Sequence, residues 1–418
     1  MIDYNIDELE KKLKDKSAIV AIHGAGMSGT QTLYALSKRD IKVNYFIDSD
    51  KEKHNKLFCG VKTISTKELN QVSTKAHIFI AHDFILPVVK ELKNLNFFQI
   101  YDSVDLWENT DFSEGNEYSK IYPDFTPIKL ERERKKHKFS SDKAKHMLTK
   151  NWSNNFNIKH VDIVITERCS MKCKDCANLM QYYENPQNND LEILFSSIDR
   201  FMKSVDKVYE FRVLGGDPFM NKEMYKVINK LNEYKNVESI VIYTNAKIVP
   251  KGENLDCLKK DKVRLQITNY GDLSSKHDEI IKLLASENIA FVTDRVKTWD
   301  DIGEIKYEKK SKEVLNKQFL DCCAQDIFTV LDGVLYKCPV SAHGTKLKAV
   351  PFDKFKDGID LVDEKVSIKD LRNKLIDFHY NNKYITACMY CKGRSYGFGT
   401  IEAAIQTKKP IPYQKITS

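Results

Sequence analysis

Three cysteines fall within eight residues, Cys169-Ser-Met-Lys-Cys173-Lys-Asp-Cys176, directly after the apolar run Val161-Asp-Ile-Val-Ile165. Thiolates at this spacing bind a soft metal or an iron–sulfur cluster. Zinc knuckles, ferredoxins and thioredoxin-like motifs share the Cys173-x2-Cys176 half, so the third ligand at x3 spacing carries the information. Three ligands in one loop, with no fourth cysteine in reach, leave one iron of a cubane without a protein ligand. Such an open iron can bind a small chelating substrate or cofactor. The competing reading is a structural zinc on Cys173 and Cys176 with partners elsewhere.

At 418 residues the chain has room for two or three domains. Its 42% hydrophobic and 30% charged residues suit a globular protein with sizeable cores. No apolar run approaches about 18 residues, so no membrane span is expected. The N-terminus, Met-Ile-Asp-Tyr-Asn-Ile-Asp-Glu, is acidic and lacks an apolar signal-peptide region. A cytoplasmic location is expected, where clustered cysteines point to metal or redox chemistry rather than disulfides. Much of the net charge of +8 lies between Lys129 and Lys150, with Arg132, Arg134, Lys135, Lys136 and Lys138. That stretch reads as a solvated helix face, or as a patch for an anionic substrate or carrier. No nucleic-acid motif is present, and no nucleic-acid partner is expected.

The first hundred residues alternate strands and helices. Strand Ala18-Ile-Val-Ala-Ile22 runs into His23-Gly24-Ala-Gly26-Met-Ser-Gly29-Thr and a helix from Gln31 to Lys38. Strand Val43-Asn-Tyr-Phe-Ile47 ends at Asp48, and a third strand is Ala76-His-Ile-Phe-Ile-Ala81. This is the order of a Rossmann unit. Gly24 would permit the tight turn, Gly26 would let a pyrophosphate approach, and Gly29 would let helix and strand pack closely. Asp48 lies where a ribose hydroxyl would be met. The competing reading is an α/β domain whose glycines serve packing alone. Ile22–Gly29 and the strand end Tyr45-Phe-Ile-Asp48-Ser-Asp50 resemble the small Rossmann-like domains fused to bacterial enzymes of surface-polysaccharide and nucleotide-sugar metabolism. That resemblance implies a bound nucleotide sugar or dinucleotide.

A second α/β series follows a charged stretch with Pro123 and Pro127. Strands are expected at 161–165, 209–214, 239–243, 263–268 and 289–292, with helices at 191–205, 222–234 and 277–286. The succession suggests a parallel sheet curved into a partial barrel, whose reactive site gathers at the C-terminal strand ends. The strand at 209–214 runs into Gly215-Gly216-Asp217-Pro218. Paired glycines expose backbone groups there, and Pro218 stiffens the turn.

The cysteine loop resembles the signature of the radical S-adenosylmethionine (SAM) superfamily. The resemblance implies a 4Fe-4S cluster on Cys169, Cys173 and Cys176 whose open iron holds the amino and carboxylate groups of SAM. It also implies SAM cleavage to a 5′-deoxyadenosyl radical, with electrons from a donor such as flavodoxin or ferredoxin. Asp175 departs from the pattern, which usually has an aromatic residue there. The Gly215–Pro218 element resembles the family's Gly-Gly-Glu-Pro contact to the SAM amino group, with Asp in place of Glu. Thr244 and Asn245, and Thr268 and Asn269, sit where the family meets the SAM ribose and carboxylate.

The last quarter holds a second set. Cys322 and Cys323 precede Leu331-Asp-Gly333-Val-Leu-Tyr-Lys-Cys338-Pro339, and Cys388-Met-Tyr-Cys391 follows. Asp332-Gly333 between apolar runs predicts a β-hairpin that brings Cys338 close to the Cys322–Cys323 pair. With Cys388 and Cys391 this makes four thiolates, enough for an auxiliary 4Fe-4S cluster, or for a structural zinc. The set resembles the twitch domain, a shortened SPASM domain. Cys322 is taken as the ligand. The spare Cys323 is then an inert core thiol or a hydrogen-atom donor. Cys59 and Cys257 read as buried structural cysteines.

The expected fold class is α/β, with a Rossmann-like domain at 1–112 and a basic linker at 113–157. A partial (β/α)6 radical SAM barrel follows at 158–310, and a small α+β twitch-like cluster domain at 311–418. The expected activity is dehydrogenation of a carbinol in a carbohydrate, free or nucleotide-linked. The alternatives are a sugar epimerase using a cysteine hydrogen donor, a peptide-modifying enzyme and a non-enzymatic iron–sulfur sensor.

Overall fold

The computed structural model describes residues 5–113, 127–149, 156–322, 327–380, 383–394 and 399–416, without the side chains of 127–129 and 146–149. The chain forms two compact units, 1–153 and 154–418.

The first unit runs α1 (Ile6–Leu13), β1 (Val20–His23), α2 (Met27–Ser37), β2 (Tyr45–Ile47), β3 (Leu57–Phe58), β4 (Val61–Ile64), α3 (Thr66–Val72), β5 (His77–Ile80), α4 (Ile85–Asn94), β6 (Ile100–Asp102), α5 (Ser103–Glu108) and α6 (Pro127–Thr149). Its sheet order is β3-β4-β2-β1-β5-β6, parallel except for the β3–β4 hairpin. The five parallel strands thus lie in the order third, second, first, fourth, fifth, which is the Rossmann arrangement. Val20, Ile22, Ile78 and Ile80 are fully buried because helices cover both faces of the sheet.

The basic stretch forms most of α6, and this helix packs within the first unit. His137 is fully buried and bonds Asp102 through Nε2 at 3.2 Å, beside buried Phe139 and Ala144. Several basic side chains pair with neighbours: Lys135 with Glu131, Lys136 with Glu133, Lys138 with Glu108 and Lys145 with Asp105. Arg134 donates to Gln31 and lies over the Phe112 ring.

The second unit runs β7 (Asn157–Thr166), α7 (Leu191–Ser204), β8 (Lys207–Gly215), α8 (Met224–Glu233), β9 (Val237–Thr244), α9 (Glu253–Asp256), β10 (Val263–Asn269), α10 (His277–Ser286), β11 (Phe291–Arg295), β12 (Thr298–Asp300), α11 (Lys312–Asp321), β13 (Ile327–Leu331), β14 (Val334–Tyr336), α12 (Pro339–Lys346), β15 (Gly358–Asp360), α13 (Ile368–Tyr380) and β16 (Thr400–Glu402). Eight strands form one sheet in the order β11-β10-β9-β8-β7-β13-β14-β15. The six from β11 to β13 are parallel, and β14 and β15 are antiparallel. The C-terminal segment therefore extends the barrel sheet beside β7. The hairpin turn at Asp332 and Gly333 has φ of +49° and +82°, the pair of positive values that a two-residue type I′ turn needs.

Side chains alternate across this sheet. Val161, Ile163, Phe211, Val213, Ile240, Ile242, Leu265 and Ile267 pack against the helices in one large core. Asp162, Arg212, Tyr243 and Gln266 therefore lie on the other face. There the Arg212 guanidinium bonds Asp162 and lies 5.8 Å from the Tyr243 ring centroid. Burial pushes the Asp162 carboxyl up to about 6 despite that partner.

Candidate functional site

The cysteine loop leaves the C-terminal end of β7 and is pinned by the glycine pair that ends β8. Gly216 N donates to Thr166 O, and Asp217 N to Arg168 O. A Cβ on Gly215 would stand 1.9 Å from Thr166 O, and one on Gly216 would stand 2.1 Å from Arg168 O. Side chains at either position would push the loop away, which is a close-approach role for both glycines.

Asp217 is fully buried and joins two strand ends. Its carboxylate accepts from Phe219 N at 3.0 Å, Thr244 Oγ1 at 3.0 Å and Asn245 N at 3.2 Å. Burial raises its pKa, and these three donors oppose the rise. Buried Pro218 opens the short turn that follows. The Thr244 hydroxyl is thus committed to Asp217. The Asn245 side chain meets Ser170 and donates through Nδ2 to Cys169 Sγ at 3.6 Å. Thr268 O accepts from Ser274 Oγ, which also donates to Asn245 O. Asn269 Oδ1 accepts from Gly271 N and Arg295 Nη1. The structure therefore gathers the ends of β7, β8, β9 and β10 around the cysteine loop.

The three thiols share an apolar shell with Met171, Tyr270, Trp299 and Ala404. Burial pushes the Cys173 thiol up to about 11 and raises Cys169 and Cys176 as well. Backbone amides of Asn178, Leu179 and Met180 face Cys176 and oppose its rise. Thiols held this way stay protonated at neutral pH until a metal displaces the proton. Among the described residues no three His, Cys, Asp or Glu side chains converge as ligands of a single ion. A cubane, whose ligated irons occupy different corners, takes thiolates farther apart.

The second set meets at a small, partly open pocket of about 40 Å³, lined among others by Cys322, Cys338, Cys388 and Cys391. Cys338 caps α12, where Ser341 N donates to its sulfur at 3.4 Å. Gly393 N donates to Cys391 Sγ at 3.3 Å. Burial pushes Cys388 up to about 11 and raises Cys338 and Cys391. Lys310 and Gln318 brace the pocket by donating to Cys388 O and Cys391 O. A cavity walled by four thiols and ringed by donors fits a thiolate-ligated cluster. Cys323 lies outside the described residues.

In the first unit Gly24 has φ of +114° and stands at the turn after β1. A Cβ on Gly29 would meet Gly24 O at 2.1 Å, while a Cβ on Gly26 would meet nothing within 4 Å. Asp48 accepts from Ala25 N at 3.0 Å and Lys53 Nζ at 2.9 Å, so the acid is tied to the glycine turn itself. Cys257 is buried as expected. Cys59 is only partly buried, because it occupies a left-handed position in the exposed β3–β4 turn.

Three features of the structure carry no signal in the sequence. The polar face around Asp162 and Arg212 is hidden because alternation inside a mostly apolar strand looks like noise. The other two are the carboxamide of Gln406 at Cys173 and the pair formed by His23 Nδ1 and His82 Nε2 at 2.8 Å.

Residues 161–285 match the family model described as a 4Fe-4S single cluster domain. The GTP 3′,8-cyclase of Clostridium acetobutylicum is 27% identical over 139 residues, 30% of this chain and 42% of that protein. The GTP 3′,8-cyclase of Helicobacter pylori (strain HPAG1) is 28% identical over 134 residues, 30% of this chain and 38% of that protein. The chain is similar to these proteins, and the matched family model covers its cysteine loop and the Gly215–Pro218 turn. It spans about two-fifths of the length of these curated relatives. Among solved structures, BtrN in complex with AdoMet and 2-DOIA aligns at TM-score 0.39 and 13% identity, covering 57% of this chain and 94% of that one. Native anSMEcpe with bound AdoMet and Cp18Cys peptide aligns at TM-score 0.37 and 14% identity, covering 53% of this chain and 82% of that one. No described helix of the chain is long and apolar enough to cross a membrane.

Proposed function

We propose that this protein is a radical SAM dehydrogenase that oxidises a carbinol of a carbohydrate, free or nucleotide-linked. The observation that carries the reading is the presence of two thiol sites in one unit. One is a three-cysteine loop at the strand ends, and the other is a four-cysteine cavity. Cys169, Cys173 and Cys176 would hold the SAM-binding cluster, and Cys322, Cys338, Cys388 and Cys391 the auxiliary cluster. Bound there, SAM and the two clusters would supply a 5′-deoxyadenosyl radical as hydrogen acceptor and a sink for the remaining electron, with a proton lost to give C=O.

This chain's own residues set up that chemistry. Gly215 and Gly216 let the loop sit against β7 and β8. Asp217 locks β8 to β9, and the shell of Met171, Tyr270 and Trp299 keeps water from the thiols. The polar face built from Asp162, Arg212, Tyr243 and Gln266 suits a substrate rich in hydroxyl groups. The glycine turn of the first unit, with open space above Gly26 at the start of α2, suits the phosphates of a nucleotide or nucleotide sugar.

Reaction in deuterium oxide separates oxidation from epimerisation. Oxidation gives a ketone two mass units lighter with no carbon-bound deuterium from solvent. Epimerisation through the thiol of Cys323 leaves one deuterium at the inverted carbon, and Cys323→Ala then stalls turnover while 5′-deoxyadenosine still forms. A product carrying solvent deuterium at the substrate's mass plus one overturns the dehydrogenase reading in favour of the epimerase.

A further inference from the structure

We infer that Gln406, on the C-terminal strap, is a positioning residue that raises the reduction potential of the cluster at Cys169, Cys173 and Cys176. The inference deepens the reading above and rests on a cubane being held there. The strap begins at β16, which pairs with β12, and continues across the cysteine loop. Lys174 N donates to Ile405 O at 2.7 Å, and Thr407 N to Lys172 O at 2.7 Å. Cys173 and Gln406 form an isolated antiparallel bridge between them. Backbone pairing therefore delivers one side chain to one sulfur.

Both ends of the Gln406 carboxamide are engaged. Oε1 accepts from Lys172 N at 2.9 Å. Nε2 donates to Cys173 Sγ at 3.2 Å and to Ala404 O at 2.7 Å. Turning the amide over would set oxygen against sulfur and NH2 against an N–H, so the network fixes its orientation. The strap also supplies Ala404 to the apolar shell of the thiols. Reduction adds negative charge that spreads onto the ligating sulfurs, and an N–H donor stabilises that charge. Gln406 thus favours the reduced cluster. The strap's two backbone bonds to the loop do not involve this side chain, so Gln406→Leu keeps them while releasing the Lys172 amide, and Gln406→Glu keeps an acceptor for that amide as well.

The test is an EPR-monitored redox titration of the full-length protein carrying both clusters. The SAM-binding cluster is recognised as the signal that changes when SAM is added. In Gln406→Leu, the reduced-to-oxidised ratio of that cluster at fixed potential should fall about tenfold, about 59 mV for a one-electron couple. Gln406→Glu should lower it further by placing a carboxylate on the sulfur. The auxiliary midpoint should stay put in both. A second readout needs no mutation: in wild-type protein labelled with 15N at glutamine side-chain amides, the reduced cluster should show a 15N hyperfine coupling. An unchanged midpoint in Gln406→Leu, equal shifts of both clusters, or no 15N coupling overturns the inference alone. A wild-type protein with no SAM-responsive cubane signal overturns the functional reading and this inference with it.

Discussion

Each unit puts its distinctive loop after its first strand, yet the two loops are built on opposite terms. The glycine turn after β1 satisfies itself. Gly24 and Gly29 pack on each other, and Asp48 bonds the turn's own Ala25 amide and Lys53. The cysteine loop after β7 buries three thiols among apolar side chains, and donors from Asn245 and Gln406 reach two of the sulfurs. A fold gains nothing from burying thiols beside hydrogen-bond donors aimed at sulfur unless something ligates them. The second unit therefore demands a ligand, and the first merely admits one.

The largest effect should come from that demand. A Cys169→Ala, Cys173→Ala, Cys176→Ala triple variant should lose 5′-deoxyadenosine formation to background. Its iron should fall from about eight atoms to about four, from two cubanes to one. Iron and sulfide analysis of anaerobically reconstituted protein reads the count. A triple variant that still cleaves SAM would erase the contrast between the loops.

Cys388→Ala asks whether the four-cysteine cavity serves the same chemistry. The iron count should again drop to about four. This time 5′-deoxyadenosine should persist while ketone formation collapses, because the electron has no acceptor. Zinc without iron at this set in wild-type protein would make the cavity a structural site and remove the support for oxidation.

Acid should weaken both units through their buried histidines. His343 is fully buried in α12, and burial lowers its pKa to about 3. Burial likewise lowers His82 to about 4 in the first unit. Both folded values lie below the unfolded value of about 6.5, so the unfolded chain takes up the proton first. The stability each contributes is complete above about 6.5 and is lost as pH falls toward the folded value. From pH 7 to pH 5 the His343 site should lose about 2 kcal/mol. Hydrogen exchange of α12 amides, corrected for intrinsic rate, reads that loss, and His343→Gln should flatten it. The same slope in both proteins would refute the assignment to His343.

What was legible in the sequence follows from how local each signal is. The cysteine loop, the glycine pair and the hairpin at Asp332-Gly333 are contiguous, and their residue types leave few readings. The four-cysteine set was legible only because that hairpin folds Cys338 back toward Cys322. Gln406 was illegible, since its meaning comes from a strand bridge to Cys173 across 233 positions. The packing of α6 was equally hidden. Its inward face carries His137 against Asp102, so apolar periodicity, the usual sign of a buried helix, is weak there. The attachment of β13 beside β7 could not be read from a strand whose sequence suits either edge.

The smallest effect tests whether the glycine turn admits a ligand at all, and two neighbouring glycines divide the question. At Gly29 an added methyl collides with Gly24 O, so Gly29→Ala should cost about 1–3 kcal/mol of stability through forced backbone shifts. At Gly26 the backbone is extended, with φ of −153°, and nothing lies within 4 Å of an added Cβ. Gly26→Ala should therefore leave the unfolding midpoint of the first unit unchanged. If a pyrophosphate approaches the start of α2, that methyl occupies its path, and nucleotide affinity should fall about tenfold, near 1.4 kcal/mol. Calorimetry with dinucleotides and with UDP-, GDP- and CDP-sugars measures it. Wild-type binding that Gly26→Ala leaves intact would move the ligand away from this turn. Wild-type protein that binds none of them more tightly than roughly millimolar would leave the first unit as a packing or dimerisation module.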